Sequence, residues 1–285
     1  MSSFYHDPYI NSSNMKNTQI LILLMLLMRG LHAQNTSCDV DACNDKDHPC
    51  GPVFNQNNRT EINGETLKTT PYNAIIHQSI HRIGHSYAST SSFIAPNILI
   101  TAAHNVQHYL NVKRNGFTFY NYGISEKGID FKKNEVIVLK YRSHFHSDDD
   151  IAVIIFTDAK KIAPLYKGKF ALATKADIKN PSAPVHLAGY PCDKDGKLME
   201  KHITANQLHA SSVSTNVIGY DMYTCIGDSG EPLWADLNGM PTIIGIHHGG
   251  RENYFDDAGC FNISAAITED VLKWIGGLIL AHPAK

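Results

Sequence analysis

The stretch TCIGDSGEP, Thr224 to Pro232, decides how the chain is read. Gly227 and Gly230 bracket Asp228 and Ser229, Cys225 lies just upstream, and Pro232 closes the run. Such a stretch is either a plain glycine-rich turn between strands or a loop that presents Ser229 as a nucleophile. A serine hydroxyl attacks poorly until a neighbouring base takes its proton, and that base needs a third group to fix its tautomer. The second reading therefore demands a histidine and a carboxylate elsewhere in the chain.

Sixteen histidines are available, and most belong to surface or structural roles. His104, in ILITAAHNV, stands apart because an apolar strand ends in two small alanines just before the imidazole. Asp150, in DDDIAVIIF, is the last acid before a buried apolar strand, where a partly desolvated aspartate can orient an imidazole. His104, Asp150 and Ser229 form the candidate catalytic set.

The rest of the chain sets the context. Its 285 residues allow one large domain or two modest ones, and a formal charge of −2 without a basic block excludes nucleic acid as the expected partner. The apolar run Ile20 to Met28 is far shorter than the roughly 20 residues that span a bilayer, so no membrane anchor is expected. Met15-Lys16 precedes that run and Leu31-His32-Ala33 follows it, the order of a secretory signal cleaved after Ala33. Residues 1–33 are accordingly an N-terminal extension and secretion signal, and the six cysteines of an exported chain are disulfide candidates.

Short apolar or β-branched stretches recur at Tyr72 to Ile80, Ser92 to Thr101, Val136 to Tyr141, Asp150 to Phe156, Val185 to Tyr190, Pro232 to Trp234 and Thr242 to His247. Asn238-Gly239 is a hairpin signal, and Thr268 caps a final helix carrying Val271, Leu272, Trp274, Ile275 and Leu278. These patterns predict an all-β protein with a C-terminal helix, as a barrel pair or a sandwich.

TAAH, DIAV and GDSG, in the order His, Asp, Ser, resemble the trypsin-like serine proteases from about Val53 to the C-terminus. The resemblance implies two antiparallel six-stranded β-barrels, about 53–160 and 161–285, with the triad in the cleft between them. It makes His104 the general base, Asp150 its orienting group and Ser229 the nucleophile, with the N–H groups of Gly227 and Ser229 as oxyanion hole. No cofactor and no metal are implied, peptides are the partners, and a monomer is expected. His144, His146, Asp148 and Asp149 read as a solvated loop rather than a metal site.

Within that family, trypsin-like enzymes place an aspartate six residues before the nucleophile; here it is Tyr223, which disfavours Lys or Arg before the scissile bond. The run IIGIHHGG is similar to the V8-like glutamyl endopeptidases, whose matching histidine and threonine bind a glutamate side chain. The resemblance carries that role to His247 and Thr224, with His248, Gly249 and Gly250 beside them, and proton gain by His247 would strengthen the contact. It also suggests a mature start at Val53, whose amino group joins the pocket, and hence a Cys-containing propeptide or leader over residues 34–52. Asp228 departs from the asparagine of V8-like enzymes. In trypsin-like enzymes this aspartate pairs with a newly freed N-terminus, yet no IVGG start is present. A Cys225–Cys260 disulfide is implied by the family. Glu231 has no counterpart that explains it. The resulting expectation is a secreted serine endopeptidase, made as a zymogen and preferring Glu or Asp; the alternatives are another side-chain preference or a protease-like binding protein without activity.

Overall fold

The structure, a computed structural model, describes residues 58–82, 85–110, 116–142, 147–210, 216–251 and 261–284. Among them the strands are β1 (Thr60–Glu61), β2 (Ile75–Arg82), β3 (His85–Ala95), β4 (Ile98–Thr101), β5 (Gly116–Asn121), β6 (Ser125–Lys132), β7 (Val136–Lys140) and β8 (Ala152–Phe156). They continue with β9 (Ala171–Leu172), β10 (Pro184–Gly189), β11 (Met199–Thr204), β12 (His209–Ala210), β13 (Val217–Tyr220), β14 (Pro232–Leu237), β15 (Met240–Arg251) and β16 (Phe261–Ala266). Two longer helices, α1 (Ala103–Leu110) and α2 (Glu269–Ala281), complete the description.

Strands β2 to β8 form an antiparallel seven-stranded sheet in the order β6-β5-β2-β3-β4-β8-β7. The other strands form a nine-stranded sheet, β1-β11-β10-β14-β15-β16-β13-β12, with β9 pairing β15 in parallel. Two sheets, antiparallel apart from β9, with a C-terminal helix match the architecture that the resemblance implies, and the strand counts exceed six per half for a local reason. The two-residue strands β1, β9 and β12 lie along strands of the second sheet, and the run read as one strand over Ser92 to Thr101 is broken at Pro96-Asn97 into β3 and β4. Proline cannot donate to a ladder, so the chain turns there.

The apolar patterns act where they were seen. Strand β8 is buried at every position, which is why it reads as a continuous apolar run rather than an alternating one. Asn238 and Gly239 both adopt positive φ, the geometry of a two-residue hairpin between β14 and β15. The Thr268 hydroxyl accepts the Val271 N–H at 3.3 Å, capping α2, with Glu269 and Asp270 favourable in its first turn. Val271 and Ile275 enter the main core, Trp274 meets Tyr141 at 5.4 Å between ring centroids, and Asn97 Nδ2 donates to the His282 carbonyl. The last helix thus clasps the first sheet from the far end of the chain. No helix among the described residues is long and apolar enough to cross a membrane.

The core of the first sheet is aromatic. Phe119 lies 5.2 to 5.8 Å from the rings of Phe117, Phe131 and Phe156, and is fully buried. Replacing so large a buried ring leaves a cavity that the surrounding rings fill only in part. Phe119→Ala is expected to lower the unfolding free energy by about 3 to 5 kcal/mol in urea titration; a loss below about 1 kcal/mol would show that this cluster does not anchor the sheet.

Candidate active site

The first sheet brings His104 and Asp150 together by register. Strands β4 and β8 pair so that Thr101 faces Ala152, which sets the segments after β4 and before β8 at the same end. The Ala103 N–H donates to the Asp150 carbonyl at 3.3 Å, and His104 begins its helix directly against the Asp150 side chain. The backbone N–H of His104 donates to Asp150 Oδ1 at 2.8 Å, and His104 Nδ1 lies 2.6 Å from Oδ2. Both ring and backbone of one histidine are therefore held by one carboxylate, itself 1% exposed.

His248 shares that carboxylate. Strand β15 carries a bulge between His247 and Gly249 in its pairing with β16, so His248 is the residue left out of register. A bulge re-aims the side chain it displaces. Here the His248 ring stands edge-on to His104, 5.2 Å between centroids, and its Nδ1 lies 2.5 Å from Asp150 Oδ2. His248, expected among the substrate-binding groups, thus directs its ring to Asp150. Burial works against the charge on Asp150, but hydrogen bonds from His104 and His248 outweigh it and hold the carboxyl well below the usual carboxylate range.

Ser229 comes from the second half of the chain, in the loop between β13 and β14, and is docked on the first sheet through its backbone. Its carbonyl accepts the Thr90 N–H at 3.0 Å and Asn105 Nδ2 at 2.9 Å, and Asn105 follows His104 directly. Gly230 must be glycine: it has φ +90°, and a Cβ would stand 2.1 Å from the Thr90 carbonyl oxygen. The Ser229 hydroxyl donates to the His248 carbonyl at 3.5 Å. The three sequence candidates and His248 therefore occupy one locality where the two sheets meet.

The loop before Ser229 has the shape of an anion-binding turn. Cys192 N–H donates to the Ile226 carbonyl at 2.7 Å, and across a trans peptide the Gly227 N–H then faces the other way. Gly227 has φ +98°, and a Cβ there would stand 2.5 Å from the Tyr190 carbonyl oxygen. Its own carbonyl accepts the Thr90 hydroxyl at 3.0 Å, while that hydroxyl accepts the Tyr190 N–H at 3.0 Å. Among the described residues, neither Gly227 nor Ser229 donates its amide to a backbone carbonyl. Thr90 and Asn105 were not legible as site residues, because each acts through contacts with backbone distant in sequence.

Beside Ser229, His247 is 2% exposed and Thr224 is half-buried. His247 Nδ1 lies 2.6 Å from the Tyr220 hydroxyl, which lies 3.0 Å from Ser264 Oγ. Burial first, then the nearby positive charge of Lys201 and the other two imidazoles, push the His247 pKa well below its ordinary value. These surroundings favour the neutral ring over the charged one. Tyr223 is buried at the position of the missing aspartate, with the Arg59 guanidinium 4.5 Å above its ring and paired to both oxygens of Asp193. Gly249 and Gly250 continue β15 opposite Ile263 and Asn262.

Cys192 and Cys225 are each disulfide-bonded. Val53, Cys260, His144, His146 and the leader cysteines lie outside the described residues, so the start of the mature chain and the Cys225–Cys260 pairing do too. Of the remaining loop acids, Asp149 pairs with Arg142 at 3.0 Å.

The trypsin family profile matches residues 63–275. A solved structure titled as a Glu endopeptidase in complex with MPD superposes with a TM-score of 0.57 at 21% identity, covering 79% of this chain and 98% of that one. No curated protein sequence matches the chain. The matched span runs from the residues just after β1 into α2 and so takes in both sheets and the seam between them: the chain belongs to the trypsin family and is a serine endopeptidase.

Proposed function

We propose that Ser229, His104 and Asp150 cleave peptide bonds through an acyl-enzyme, with Glu preferred before the scissile bond. The observation that carries this reading is the double hold of Asp150 on His104, through ring and backbone. With Nδ1–H given to Asp150, the basic lone pair of the neutral ring is on Nε2. For transfer, the serine hydroxyl must turn from the His248 carbonyl to that nitrogen. Nε2 takes the hydroxyl proton as Oγ bonds the substrate carbonyl carbon, and the resulting oxyanion accepts from the Gly227 and Ser229 amides, each worth about 3 kcal/mol to the transition state. The imidazolium then protonates the leaving amine, and water, activated by the same ring, releases the acid and restores Ser229. His248 steadies Asp150 through the same oxygen that faces His104.

For specificity, the His247 ring, fixed through Nδ1 by the Tyr220 hydroxyl with Ser264 behind it, and the Thr224 hydroxyl are the groups assigned to a substrate carboxylate. The fold-sharing Glu endopeptidase is a precedent for such a preference on this scaffold. Export of the chain is part of the proposal and rests on the apolar run at Ile20 to Met28.

A fluorophosphonate should label the protein on Ser229, and Ser229→Ala should lose the label while melting at the same temperature; retained labelling places the nucleophile elsewhere. Peptides matched except for Glu, Phe or Arg before the cut should be hydrolysed with Glu at least a hundredfold above Arg in kcat/KM. Since its surroundings favour the neutral His247 ring, KM for the Glu peptide should stay flat from pH 6.5 to 8, and a rise across that interval would show that a charged ring binds the substrate. Preference for Arg would overturn the roles of Thr224 and His247. Finally, His248→Ala should lower kcat about tenfold with KM within threefold, as loss of a positioning contact to Asp150 requires; an unchanged kcat would confine His248 to packing.

A further inference from the structure

Beneath the nucleophile loop lies a buried ionic group that the mechanism above does not use. Lys201, on β11, is 1% exposed, and its Nζ stands 3.2 Å from Asp228 Oδ2 and 3.3 and 3.2 Å from the two oxygens of Glu231. Both acids are fully buried. Asp228 Oδ2 also accepts the Cys225 N–H at 2.9 Å, the Asp228 N–H donates to the Cys225 carbonyl, and the Glu231 N–H donates to the Asp228 carbonyl. The carboxylate next to Ser229 therefore closes its own loop, and the only ammonium against it among the described residues is that of Lys201. Glu231 fits because residue 189 is glycine: a Cβ there would stand 2.2 Å from Glu231 Cγ. Burial, then the charge of Asp228, raise the Glu231 carboxyl well above its ordinary value against the opposing pull of Lys201.

We infer that Lys201 is a positioning residue for catalysis, an internal counterion that holds Asp228 inward and so keeps the Gly227–Ser229 amides in their anion-binding arrangement without an ammonium from a freed N-terminus. A carboxylate buried without its cation turns toward water or takes up a proton, and either change removes the charge that holds the loop. Asp228 could turn outward only by carrying the Gly227 and Ser229 amides with it. The inference rests on the proposed role of Ser229.

The test uses the full chain. Lys201→Met should lower kcat about a hundredfold with KM within threefold, since the loss falls on the transition state, while Lys201→Met/Asp228→Asn, with neither charge left, should regain at least tenfold. The wild-type chain should give the same kcat per fluorophosphonate-labelled site with an N-terminal extension intact as with it removed. Wild-type kcat in Lys201→Met, or activity that appears only after N-terminal cleavage, overturns the inference and leaves the role of Ser229 standing. A wild-type chain inert to fluorophosphonate overturns both. Should Lys201→Met not fold, the double variant decides: activity within tenfold of Asp228→Asn alone supports the inference, and activity a hundredfold below it overturns the inference.

Discussion

Two carboxylates are sealed at the seam between the sheets, and the site is arranged around the donors they require. A buried carboxylate without partners is costly enough to be expelled or protonated. Asp150 is satisfied by the backbone and ring of His104 and by the ring of His248. Asp228 Oδ2 accepts the Cys225 N–H and faces the Lys201 ammonium, while its Oδ1 is buried without a hydrogen-bond partner among the described residues. One acid thereby orients the histidine and the other shapes the loop that carries Ser229.

The seam is held largely by backbone. The Ser229 carbonyl accepts from Thr90 and Asn105, and the Gly227 carbonyl from the Thr90 hydroxyl, so residues of the first half grip the loop of the second. The close approach explains two glycines at once: an added Cβ at 227 or 230 would stand 2.5 or 2.1 Å from a carbonyl oxygen. The arm at Arg59 to Ile62 and the helix α2 cross in opposite senses, the first onto the second sheet and the second onto the first. Each sheet thus holds a piece of the other's half.

Much of this was legible along the chain. The continuous apolar run of β8, the Asn238-Gly239 hairpin and the Thr268 cap are local signals, and local signals survive without tertiary context. His104 and Asp150 stood out because each ends or begins an apolar strand, and strand ends are where a polar group can be half-buried. Strand β11 was not seen, although Lys201 alternates with Met199 and Ile203 and so shares their inward face. A lysine on such a face ordinarily breaks the pattern, and only its two partners, both from the loop before β14, make it tolerable there.

The sequence by itself determined the catalytic candidates, the all-β class and the capped final helix, because each depends on residues within a few positions of one another. Only the tertiary structure decided where His248 points, which cation faces Asp228 and which form of the His247 ring is favoured. A bulge redirects the first, strand pairing brings Lys201 to the second, and burial beside other positive groups settles the third. All three depend on the dielectric and the neighbours that a residue meets after folding, and those neighbours come from distant parts of the chain.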